Sequence, residues 1–227
     1  MSECIEVLKL SENKIKYKNP PKRGVLEEVG NAVTHGLGSL FAVLALVLML
    51  SASDGGEDEA TAIIYFCGML VAFTSSCLYH SFRYGSRVKR LFHRLDYLSI
   101  YLLIGATFAP ILLSHIGGKL GFYFFCAQWA VIAVGVTLVG VFGIHKFRPL
   151  HFTLYFTLGW SGLVLIPHML VSPVLFACVL GGGVIYTLGA IPFFLKGKAA
   201  HFIWHFFVLG GAVVQWLGIY MGIFLGI

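Results

Sequence analysis

Seven runs of apolar residues leave this chain essentially one class of fold. They cover about 28–50, 60–82, 95–114, 120–143, 151–170, 174–195 and 199–224, and short polar connections separate them. In a bilayer core the backbone must satisfy its own amides, and a helix of about 20 residues, rising about 1.5 Å per residue, crosses roughly 30 Å of hydrocarbon. The expectation is an all-α membrane protein, a seven-transmembrane helix bundle over residues 27–227 preceded by a polar tail over 1–26. Charged residues are only 11% of the 227, against about 25% in soluble domains, so a soluble enzyme is excluded. Short connections favour sequential antiparallel neighbours.

The charges then orient the bundle. Six lysines and arginines lie in the tail, five between Arg83 and Arg94, two at Lys146 and Arg148 and two at Lys196 and Lys198, all on one side. The other side carries only Lys119, and its first connection is acidic (Asp54, Glu57, Asp58, Glu59). The positive-inside rule places the N-terminus in the cytoplasm and the C-terminus outside. The net charge of +6 is thus a topology signal, and nothing in the chain reads as a nucleic-acid module. The opening residues Met1–Glu6 lack the basic segment and apolar core of a signal peptide, so the first helix is expected to act as its own insertion signal. The five cysteines are odd in number and four lie inside apolar runs, which argues against a disulfide framework. Pro110, Pro167 and Pro192 fall within helices 3, 5 and 6 and are expected to kink them, while Gly218 and Gly222 allow close helix packing.

Polar residues inside these runs converge on one leaflet. His201 and His205 open the last helix, four apart and therefore on one face, which is how a helix commonly offers two ligands to a metal. Helix 2 ends at the same membrane edge with Ser76 and His80. Helix 3 begins there with Asp96, and helix 1 with Glu28, Asn31 and His35 on roughly one face. Buried unpaired polar groups are expensive in a membrane, so mutual satisfaction through one site is the cheaper arrangement. Three imidazoles from two helices suit a tetrahedral zinc ion whose fourth place is left to water or substrate. Ser76 and Asp96 would then hydrogen-bond around the metal or transfer protons for an activated water. Taken singly, Asp96 also reads as a helix cap or a partner of Arg94 or His93, Glu28 as a charge matched to a helix dipole, and Asn31 and His35 as cross-links between helices. His115 and His168 lie toward the outer ends of helices 3 and 5, and His93, His145 and His151 beside cytoplasmic connections, where no ligand role is expected.

The combined pattern resembles a known family. Glu28-x2-Asn31-x3-His35, Ser76-x3-His80, Asp96 and His201-x3-His205 look like the signature of the progestin and adipoQ receptor superfamily, and the short connections look most like its bacterial branch, the hemolysin III proteins. The resemblance covers residues 25–224. It implies a cytoplasmic N-terminus and a zinc ion on the cytoplasmic side bound by His80, His201 and His205, with Ser76 and Asp96 beside it. It also implies a bacterial cell membrane as the location and links to lipid-amide hydrolysis, membrane lipid homeostasis and cytolysis.

Three functions compete on these residues. One is a zinc-dependent intramembrane hydrolase of a lipid amide or ester, with Asp96 as general acid or base. The second is a non-enzymatic sensor of lipid or membrane state in which zinc is structural. The third is a pore-forming cytolysin, against which the one-sided polar cluster argues. A retinal protein is excluded because residues 199–227 contain no lysine for a Schiff base, and a proton-coupled transporter stays open.

Overall fold

A computed structural model describes residues 20–227, except 196 and 198; most of the tail expected over 1–26 therefore lies outside the described residues. Among those described, seven helices are long and apolar enough to cross a membrane, and no strand occurs. They are α1 (Val25–Ala52), α2 (Glu57–Ser81), α3 (Arg87–Ile116), α4 (Gly118–Phe142), α5 (Arg148–Met169), α6 (Pro173–Phe194) and α7 (Ala200–Phe224).

The helices α2 and α3 are the inner ones, 50% and 61% buried along their apolar stretches, against 17% for α6. Their close approach rests on Gly68, where a Cβ would collide with the Ala106 methyl and stand 3.1 Å from the Leu102 carbonyl oxygen. The same device joins α6 to α7: a Cβ on Gly182 would lie 3.0 Å from the Gly211 carbonyl oxygen. Gly218 and Gly222 likewise face Cys178 and Leu175 of α6 and Ser172 at its cap, so they serve packing. The core formed by Ala42, Met49, Tyr65, Met69, Phe73, Ile111, Leu112 and Trp216 ties α1, α2, α3 and α7 together. A second cluster around Tyr101, Ile132, Val139, Tyr155 and Leu158 fastens α4 and α5 to α3. Outward positions such as Leu40, Val47, Phe122 and Ile191 are more than half exposed, the inverse of a soluble surface and what a hydrocarbon solvent requires.

Two boundaries bear on the site. The third helix starts at Arg87, well before the apolar run at 95, because Ser86 caps it by accepting a hydrogen bond from the Lys89 amide. Asp96 therefore stands in the third turn of α3 and caps nothing. The prolines mark changes of helical form. Pro110 begins a π-helical turn, Pro110–Ile116, whose wider spacing accommodates the missing amide. In α5 a 3-10 segment, Ser161–Leu165, precedes Pro167, and Pro192 sits in the last turns of α6.

Candidate metal centre

The bundle end where α1, α3 and α7 begin and α2 finishes holds the only group of three or more potential metal ligands among the described residues: His80, His201 and His205. One ligand atom from each lies within 4.8 Å of the others, and His80 and His205 are buried. The Nε2 atoms of His201 and His205 are 3.3 Å apart. Two ligands of a tetrahedral centre with metal–nitrogen bonds of about 2.0–2.1 Å stand about 3.3–3.4 Å apart, so the pair already forms one edge of such a centre.

The first helix supplies no ligand to this group but sets the tautomers. His80 Nδ1 donates to Glu28 Oε2 at 2.5 Å, and its buried Nε2 has no hydrogen-bond partner. Thr34 spends its only hydroxyl proton on the carbonyl oxygens of Gly30 and Asn31, at 2.9 and 3.0 Å, so the oxygen accepts from His205 Nδ1, 3.4 Å away. Both rings thus carry their proton on Nδ1 and turn a bare Nε2 inward, which is the state a metal needs. The orphaned buried Nε2 of His80, beside the Nε2 pair of His201 and His205, fits a bound cation. These residues could hold a divalent metal.

A cavity of about 60 Å³ opens beside the cluster, lined by Ser76, Asp96, His201 and His205 together with His35, Tyr79, His93 and Arg23. Ser76 is buried, Asp96 partly so, and the two side chains face each other there. Of the residues expected at the site, His35 stands apart from the ligand group: it stacks on His205 at 3.8 Å between ring centroids and meets Phe73 edge-on. Asn31 Nδ2 lies 3.4 Å from His80 Nδ1. Cys77 is absent from the group and packs beside Gly36 of α1.

Several participants had not stood out in the sequence. Lys89 is buried against Glu28, with 3.0 Å between Nζ and Oε1. Arg23 Nη1 donates to the Tyr79 hydroxyl at 3.2 Å and reaches the cavity. His93 is buried in the cavity wall, stacked with His145 at 5.8 Å. A signal was available, since Lys89, His93 and Asp96 follow each other by four and three residues and so share one face once the helix is extended to Arg87. Toward the far end of the bundle, His115 Nε2 meets the His168 carbonyl oxygen at 3.2 Å, a link between α3 and α5.

A seven-helix membrane protein whose second and last helices gather three imidazoles beside a cavity lined by Asp96 defines the class. A family model described as Haemolysin-III related matches residues 24–216. The chain belongs to that family, the hemolysin III branch of the progestin and adipoQ receptor superfamily. The hemolysin-3 of Bacillus cereus is 35% identical over 198 residues, covering 84% of this chain and 89% of its own. The hemolysin-3 homolog of Bacillus subtilis is 33% identical over 197 residues, covering 84% and 92%. Human monocyte to macrophage differentiation factor is 30% identical over 202 residues, covering 86% and 83%.

Proposed function

We propose that the protein is a zinc-dependent hydrolase of a membrane lipid amide or ester, working at the cytoplasmic face of a bacterial plasma membrane in lipid homeostasis. The observation that carries this reading is the adjacency of two cavities. The polar one beside the histidines shares Ile100, Leu103, Phe193, Trp204 and Val208 with an apolar one of about 140 Å³ between α3, α5, α6 and α7. A hydrocarbon chain in the second would bring a polar linkage into the first, against Asp96 and Ser76.

His80, His201 and His205 would hold the zinc; bound there, it would supply Lewis acidity toward a carbonyl and make water a nucleophile near neutral pH. Asp96 would take a proton from the attacking water and return one to the leaving group, and Ser76 would aim that carboxylate. Phe193 and Trp204, shared by both cavities, would keep bulk water from the chain pocket and fix the linkage in register. The relatives' hemolysin names raise a lytic role. We do not favour it, because His80, His201, His205, Glu28, Lys89 and Asp96 all gather at one end of the bundle, where His201, His205 and Asp96 line a pocket.

Detergent-purified protein loaded with one zinc should release fatty acid from some member of a panel of ceramides, N-acyl lipids and glycerolipids. Failure across the panel, with zinc removal lowering the melting temperature, would replace catalysis by a structural zinc in a lipid sensor. Zinc-independent dye leakage from liposomes at low protein ratios would favour the lytic role.

A further inference from the structure

We propose that Lys89 is a positioning residue for the metal site, acting through Glu28 on the tautomer of His80; this rests on the metal reading above. Lys89 differs from its neighbours on α3. Arg87, two residues earlier, is exposed, and a lysine this close to a helix end can extend its stem to water. The Lys89 side chain is instead only 1% exposed, with its Nζ donating to Glu28 Oε1 at 3.0 Å and to the Tyr79 carbonyl oxygen at 2.9 Å, and 4.7 Å from the centre of the Tyr79 ring. A buried ion pair of this kind is often no more stable than an apolar replacement, so fold stability alone gives little reason to bury it.

The geometry gives another reason. Glu28 has two carboxylate oxygens, and Lys89 anchors one to the α2–α3 corner while the other accepts the proton of His80 Nδ1. A second group competes for that nitrogen: Asn31 Nδ2, 3.4 Å away, is a donor and would select the opposite tautomer. The proton would then sit on Nε2, the atom that must be bare to bind a metal with His201 and His205. Lys89 decides the competition by holding the carboxylate in place. The ammonium never touches the metal, and its influence passes through two hydrogen bonds.

The test is zinc affinity of the full chain in detergent, by competition with a chromophoric chelator, for wild type, K89M, K89R, E28Q and the E28Q/K89M double variant. K89M should weaken zinc binding about tenfold or more, in the range of lost outer partners of metal ligands. K89R, which keeps the cation, should stay nearer wild type. In the E28Q background K89M should cause no further loss, because the pathway is already cut. Wild-type affinity in K89M, or losses from K89M and E28Q that multiply, would overturn the proposal, as would a K89M that only melts earlier. Should K89M fail to fold, the double variant leaves neither charge stranded, and equal affinity in E28Q and E28Q/K89M supports the same conclusion while a weaker double variant refutes it. A wild type that takes up no zinc would instead remove the metal reading itself.

Discussion

The two nitrogens of His80 live in different company, one against a carboxylate and the other, buried, facing two more imidazoles. That asymmetry suits the ring to bind a metal and gives the first prediction: replacing His80, His201 or His205 by alanine should reduce elemental zinc from about one per protomer to none. Asp96 stands in the same cavity but outside the ligand group. Asp96→Asn should therefore keep its zinc while hydrolysis falls at least about a hundredfold, the usual contribution of a positioned acid or base. The cluster of three histidines was legible in the sequence because an imidazole inside an apolar run has no ordinary reason to be there. Lys89 was not, because a lysine between Arg87 and Arg90 looks the same as a charge that only orients the bundle. Its side-chain direction is a tertiary fact, decided by Glu28 on another helix.

Among the elements, α1 has the least expected part, since it adds nothing to the histidine cluster yet holds the Nδ1 side of His80 and His205 through Glu28 and Thr34. Thr34→Val preserves volume and removes the acceptor for His205 Nδ1, so zinc affinity should fall about tenfold with little change in melting temperature, measured by the same chelator competition. The contact of α2 with α3 depends on the missing side chain of Gly68. Gly68→Val should destabilise the bundle by about 1–3 kcal/mol, read as a lower melting midpoint in detergent. Helix number and approximate span were legible from hydropathy, which reports what a bilayer tolerates. The true start of α3 was not, since a capped amphipathic turn in the interface carries as many charges as a loop. Changes of helical form at Pro110 and before Pro167 depend on neighbours that hydropathy does not register.

At the scale of the molecule, the uneven lysine and arginine distribution predicts that the metal end faces the cytoplasm. A C-terminal alkaline phosphatase fusion should be active and an N-terminal one inactive; the reverse result would place the histidines on the outer face. A metal held by these histidines would also impose an order on manufacture. Its ligands come from α2 and α7, its orienting groups come from α1, and α1 packs directly against α7. While the ribosome is still producing α6, none of the three ligands can meet its partners, because two of them have not been made. Metal loading would then be the last event of biogenesis, and a chain stopped before Ala200 should insert six helices yet remain empty. The ion would close the circle between the oldest and the youngest parts of the polypeptide, and metal-starved cells should accumulate fully inserted chains whose ends have not been joined.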